Sequence, residues 1–242
     1  MRSKGTSSGF LGSILVILTA ILIALVFPIL EQRALSAENA PPVEKPASER
    51  WAKDLEGFHQ RDATNPPPAG CVLFLGSSSF RMWSDLESRF ARVHGVNRGF
   101  GGSHASDCVE LFEELTGRIQ PRQVLLYEGD NDIAASKSPE RVLEDLKRLV
   151  GLLRKKYPRA YIGFVTIKPS PSRWHLADRV RRVNESMREW IRTQKRVDYI
   201  DIFTPMLSGN GQPIEELFLA DRLHMNPIGY DILAKRIQPF LR

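Results

Sequence analysis

Cys71-Val72-Leu73-Phe74-Leu75-Gly76-Ser77-Ser78-Ser79 sets five apolar residues against a glycine and three hydroxyls. A short continuous apolar run before a turn signal predicts a buried strand over 71–75, covered on both faces, with the chain turning at Gly76. Upstream, a helical stretch from Ser48 to about Gln60 is stopped by Pro66-Pro67-Pro68. Downstream, further strands are predicted at 93–97, 123–127, 161–166 and 197–202. Helical lengths separate them at 105–118, 139–156 and 176–195, and a last helix over 227–241 closes the chain. This alternation predicts a three-layer α/β/α sandwich around a mainly parallel sheet of about five strands. In open sheets of that kind, functional groups collect beyond the carboxyl ends of the strands.

That rule selects four segments: Ser77 to Ser79, Gly99 to Ser103, Gly129 to Asp132, and Asp221 to His224 before the last helix. A serine, a histidine and an aspartate delivered to one strand-end face can perform acyl transfer. The imidazole accepts the serine proton as the hydroxyl attacks, and a buried carboxylate orients the ring. Gly99-Phe100-Gly101-Gly102 lacks the fuller dinucleotide fingerprint, and no phosphate-loop lysine follows Gly76.

Length and composition set the frame for that chemistry. The chain has 242 residues, 42% hydrophobic and 26% charged, which is ordinary for a globular protein and excludes wholesale disorder. Setting aside the amino end leaves one domain over 47–242 with room for a substantial core. The formal charge is +6, of which Arg2 and Lys4 supply two. Basic residues elsewhere are interleaved with acids, as in Asp178, Arg179, Arg181, Arg182, Glu185, Arg188 and Glu189, which reads as a solvated helix face. No nucleic-acid motif accompanies them.

The amino end has its own organisation. Phe10 to Leu30 carries no charge, and at ~1.5 Å per residue it is long enough to cross about 30 Å of hydrocarbon. We read residues 1–30 as a tail and transmembrane anchor. Arg2 and Lys4 place the tail in the cytoplasm and the rest of the chain outside, in the periplasm or at the cell surface. The alternative is secretion after a cleaved signal peptide, for which Ala34-Leu35-Ser36-Ala37 offers a cleavage site. Residues 31–46, rich in Ala, Pro and Glu, read as a stalk.

Two cysteines, Cys71 in the first strand and Cys108 in a helix, read as buried thiols, with a disulfide permitted outside the cell but not required. His94 and His104 belong to no recognised ligand spacing, so no metal site is expected.

At this point the chain resembles the SGNH, or GDSL-type, hydrolase family from about Cys71 to Arg242. Four blocks carry the resemblance in order: Leu75-Gly76-Ser77-Ser78-Ser79, Asn97-Arg98-Gly99-Phe100-Gly101-Gly102, Gly129-Asp130-Asn131-Asp132 and Asp221-Arg222-Leu223-His224. The resemblance implies a flavodoxin-like sheet, Ser78 as nucleophile, and Asp221 and His224 as its triad partners. It also implies an oxyanion hole from the backbone N–H groups of Ser78 and Gly102 and the Asn131 side chain. Ser77 and Ser79 stand where the family motif has aspartate and leucine. No cofactor is implied, since water completes the turnover of the acyl enzyme.

The family resemblance allows carboxylester, lysophospholipid, thioester and acetylated-carbohydrate substrates. The apolar amino end directs attention to lipid or cell-envelope acyl esters. Arg173 and Trp174, in Lys168-Pro169-Ser170-Pro171-Ser172-Arg173-Trp174-His175, are candidate rim residues, with Arg173 placed to hold an anionic headgroup. Acyl transfer to an alcohol and non-catalytic envelope binding are the competing functions.

Overall fold

The computed structural model describes residues 45–242. The tail, anchor and cleavage-site readings, and the stalk except for Lys45 and Pro46, lie outside those residues. Two short helices open the domain, α1 (Ala47–Arg50) and α2 (Ala52–Thr64), divided at Trp51 by a non-helical backbone. The one continuous helix expected there is therefore broken. Then come β1 (Val72–Gly76), α3 (Ser78–Arg81), α4 (Leu86–Arg89), β2 (Gly95–Gly99), α5 (Ala105–Glu110), α6 (Phe112–Thr116) and β3 (Gln123–Tyr127). The second half is α7 (Asp130–Ala134), α8 (Pro139–Lys156), β4 (Tyr161–Val165), α9 (Ala177–Ile191), β5 (Val197–Ile200) and α10 (Pro227–Ile237).

The strands form one parallel sheet in the order β2-β1-β3-β4-β5. This is the flavodoxin-like order, in which the chain moves outward from β1 to one side and then returns to the other, leaving a crevice at the carboxyl ends of β1 and β3. Both strands are buried along their whole length. Alternate residues feed two cores, as period-2 geometry requires. Leu73 and Leu75 of β1 pack on the side that receives α2, α5, α8 and α9. Val72 and Phe74 pack on the other, against Phe80, Trp83, Phe90 and Tyr230, Leu233 and Ile237 of α10.

Departures from the expected boundaries have local causes. The helix predicted over 105–118 breaks at Leu111 and ends before Gly117, whose φ is +45°. The second strand starts at Gly95, later than expected, because Ala91–Val93 forms a 3-10 turn and His94 is left-handed. Helix α8 spans the range predicted for it: Ser138 caps it through Arg141 N–H, and Pro139 fits its first turn.

Candidate active site

Strand β1 delivers the first group. A Cβ on Gly76 would lie 2.0 Å from the Tyr127 carbonyl oxygen, and its φ is +152°, so only glycine lets β1 leave the sheet beside β3 here. The Ser77 carbonyl then accepts the Phe80 and Arg81 N–H groups, starting α3 with Ser78 as its first residue. Ser77 and Ser79 are buried, and Ser79 meets the Tyr127 phenol. Of the three adjacent hydroxyls, only that of Ser78 reaches His224.

His224 Nε2 lies 3.0 Å from Ser78 Oγ, across 146 positions of sequence. Its Nδ1 lies 2.6 Å from Asp221 Oδ2. Asp221 Oδ1 accepts the backbone N–H groups of Leu223 and His224, each at 2.9 Å, and Arg222 takes a left-handed φ of +57° to allow that turn. The loop is pinned on both sides: Leu219 donates to the His224 carbonyl, and Ser172 donates to the Arg222 carbonyl. Contrary to the buried carboxylate expected, the Asp221 side chain is 46% exposed. What desolvation it feels pushes its carboxyl up, but hydrogen bonds from the His224 ring and the two backbone N–H groups outweigh this and hold it at about 2.

The segments that follow β2 and β3 bring Gly102 and Asn131 to the same face. Gly102 has a φ of +79°, yet a Cβ there would meet nothing within 4 Å. Its positive φ is a backbone conformation that favours glycine. The preceding carbonyl, Gly101 O, accepts the Trp51 indole N–H at 2.8 Å. Asn131, in the first turn of α7, donates through Nδ2 to the Ser103 carbonyl at 3.0 Å and accepts at Oδ1 from both terminal nitrogens of Arg173 at 3.2 Å.

Behind these donors lies a buried polar cluster. Asp130 pairs with Lys168 Nζ at 2.6 Å and with Arg173 at 2.7 Å. Burial pushes the Asp130 carboxyl up, but the two cations outweigh it and leave it below its ordinary range; Lys168, desolvated yet facing Asp130 and Tyr127, is held above its own. Glu128 is fully buried, accepts from Ser103 Oγ at 2.6 Å and from Cys108 Sγ at 3.3 Å, and leaves Oε2 without a hydrogen bond. Desolvation, reinforced by Asp132, pushes its carboxyl well above the ordinary range. Asp132 accepts from Ala105 N–H and Lys137.

Arg173 is therefore committed to Asp130 and Asn131 and does not stand free for a headgroup as expected. Trp174 packs partly buried against the core beside Phe203, with Arg181 over its ring. Cys71 and Cys108 are both buried and free. Among the described residues, no group of three or more His, Cys, Asp and Glu is arranged to hold a metal ion. Sequence reasoning passed over Trp51, Lys168 and Glu128 as site-supporting residues. Only Glu128 carried a signal, as an acid directly after the apolar run Val124 to Tyr127.

The arrangement is chemically able to remove a hydroxyl proton, compensate the resulting imidazolium and present amide donors nearby. The chain matches the GDSL-like Lipase/Acylhydrolase family over residues 67–232, well over half its length. The chain belongs to that family. This GDSL/SGNH-type enzyme is a carboxylester hydrolase. Among solved structures, a Streptococcus pneumonia protein described as a platelet activating factor is similar at 20% identity and a TM-score of 0.70, covering 90% of this chain and 99% of that one. A GDSL-like lipase from Bacteroides thetaiotaomicron is similar at 16% identity and a TM-score of 0.66, over 77% of this chain and 96% of its own. A member of the lipolytic G-D-S-L family from Veillonella parvula gives 20% and 0.61, over 71% and 97%. At these identities the likeness is one of fold. No curated protein matches the GDSL/SGNH-type chain.

Proposed function

We propose that this hydrolase cleaves lipid or cell-envelope acyl esters through a Ser78-His224-Asp221 triad and an acyl-enzyme intermediate. The observation that carries the reading is the unbroken relay of 3.0 Å from Ser78 Oγ to His224 Nε2 and 2.6 Å from His224 Nδ1 to Asp221 Oδ2. His224 takes the Ser78 proton as Oγ attacks the ester carbonyl, then gives it to the departing alkoxide. Asp221 stays ionised, fixes the ring and balances the imidazolium charge. Negative charge on the former carbonyl oxygen is met by the backbone N–H groups of Ser78 and Gly102 and by Asn131 Nδ2–H. Water, deprotonated by His224, then releases the acid and restores Ser78.

The substrate class is drawn from what surrounds the relay. Among the described residues, the exposed large hydrophobics are Met82, Leu219 and Ile228. Met82 N–H donates to the Ser78 carbonyl, Leu219 N–H donates to the His224 carbonyl, and Ile228 lies in the first turn of α10, four residues beyond His224. Apolar side chains held in water beside a reacting centre suit an acyl chain. With Phe10 to Leu30 as a membrane anchor and Arg2 and Lys4 before it, the domain would work outside the cytoplasmic membrane, on amphiphilic esters at that surface.

Steady-state kinetics on esters of increasing acyl length test both parts. The reading expects KM to fall as the chain lengthens, less steeply in Met82→Ser/Leu219→Ser/Ile228→Ser, and Ser78→Ala to abolish turnover while remaining folded. Turnover by folded Ser78→Ala at the parent rate overturns the triad, and a KM independent of chain length overturns the substrate class.

A further inference from the structure

The two amides Gly102 and Asn131, proposed as oxyanion donors, share a feature that the triad does not require. Each is gripped at its oxygen by a cationic or aromatic N–H donor from another part of the chain. The Gly101–Gly102 peptide presents its carbonyl to the Trp51 indole N–H at 2.8 Å. A trans peptide sets C=O and N–H on opposite sides of one plane, so fixing the carbonyl fixes the direction of the Gly102 N–H. Trp51 is itself nearly buried, stacks edge-on to Phe100 at 5.4 Å and carries the Arg50 guanidinium 4.2 Å over its ring. The helix pair that supplies it is tied down beside the same loop, with Ala47 N–H donating to Glu110 and Arg50 pairing with Asp107.

Asn131 repeats the arrangement with a side-chain amide. Arg173 has only donors, so it can meet only Oδ1; the Ser103 carbonyl only accepts, so it can meet only Nδ2. The amide cannot flip without losing both. One Nδ2–H is spent on Ser103, and the other remains to meet developing charge. Arg173 is locked in turn by Asp130, whose second oxygen holds buried Lys168.

We propose that Trp51 and Arg173 are positioning residues which hold the two oxyanion amides from behind, Trp51 acting through Gly102 N–H and Arg173 through Asn131 Nδ2–H. The inference rests on the oxyanion hole proposed above. It brings into catalysis a residue, Trp51, that lies upstream of the 67–232 segment matched by the family. Donors on the oxygen side also polarise each amide, so its N–H becomes a better donor where charge develops.

Trp51→Phe removes the indole N–H and keeps a ring against Phe100. Arg173→Lys keeps a cation for Asp130 and removes the fork on Asn131. The test is a set of double-mutant cycles with Asn131→Ala, reading kcat, KM and affinity for a boronic acid that forms a tetrahedral adduct with the active serine. Each single variant should lose roughly ten- to a hundredfold in kcat, the order expected for misplaced groups, and should lose boronate affinity with little change in KM. Arg173→Lys should cost nothing further in the Asn131→Ala background, whereas Trp51→Phe should retain its full cost there. Unchanged kcat in Trp51→Phe, or an Arg173→Lys loss that persists in Asn131→Ala or appears in KM alone, overturns the proposal. Those results with Ser78→Ala inactive leave the triad standing; active Ser78→Ala would instead remove the reading beneath it.

Discussion

Asp221 and Asp130 are two aspartates at the same strand-end face, each hydrogen-bonded to a basic side chain, and they are held in opposite ways. Asp221 is 46% exposed, sits on a loop and depends on one turn of backbone for its orientation. Asp130 is 7% exposed and is fixed between Lys168 and Arg173. The half of the site that moves protons thus rests on a half-exposed carboxylate behind a largely buried ring, and the half that would meet negative charge is backed by a buried ionic scaffold. Proton transfer needs a ring held within reach of both serine and leaving group, which Asp221 supplies from the loop, whereas charge stabilisation gains most from dipoles already aimed before reaction.

The largest effect that separates the halves is expected from His224→Ala. It should lower kcat by roughly 10⁴- to 10⁶-fold and leave the denaturant midpoint close to the parent value, because the ring's two hydrogen bonds run to a half-exposed carboxylate and to the Ser78 hydroxyl and it belongs to neither apolar core. Asn131→Ala, on the buried side, should cost about 10²- to 10³-fold in kcat, with the Ser78 to His224 hydrogen bond preserved in a crystal structure. Lys168→Met inverts the pattern. It leaves a buried carboxylate with one cation fewer and should destabilise the fold by about 3 kcal/mol in urea unfolding. Asp221→Asn removes a half-exposed carboxylate and should cost less than about 1 kcal/mol of stability, although it impairs turnover. Comparable losses of stability in Lys168→Met and Asp221→Asn would erase the distinction between the halves.

The smallest expected effect is a pH dependence. Glu128 has its carboxyl raised by burial and by Asp132, so its neutral form is favoured in the fold. A folded pKa above the unfolded one means stability fully present below the unfolded value and lost as pH rises toward the folded one. Glu128→Gln keeps an acceptor for Ser103 and removes that titration. Its melting temperature relative to the parent should therefore rise between pH 5 and pH 8, and a constant difference would contradict the assignment. Asp221 works in the other direction. Its folded value of about 2 means that its contribution is present above the ordinary carboxylate range and lost only as pH falls through that value.

Much of this was legible from residue order. Continuous apolar runs of strand length, set between periodic helices, specify buried parallel strands, and the strand-end rule then gathers the segments 77–79, 99–103, 129–132 and 221–224 without coordinates; within them it is the family resemblance that implies Ser78, Gly102, Asn131, Asp221 and His224. The legibility fails where a contact depends on partners remote in sequence. Trp51 has no local mark distinguishing an indole that donates to Gly101 from one that only fills a core. Arg173 looked available because its acceptors, Asp130 and Asn131, lie more than forty positions away. Exposure of Asp221 was likewise hidden, since the Asp221-to-His224 spacing sets their contact but not how much of the loop faces water.

The most direct measurement of the central claim is peptide mapping by mass spectrometry after treatment of the folded domain with a fluorophosphonate, with His224→Ala and Asp221→Asn in parallel. One adduct on Ser78, slowed severely in His224→Ala and less so in Asp221→Asn, is the result predicted by a relay that runs from Ser78 to His224 to Asp221. An adduct on Ser77 or Ser79, or labelling of Ser78 at the parent rate without His224, would contradict it.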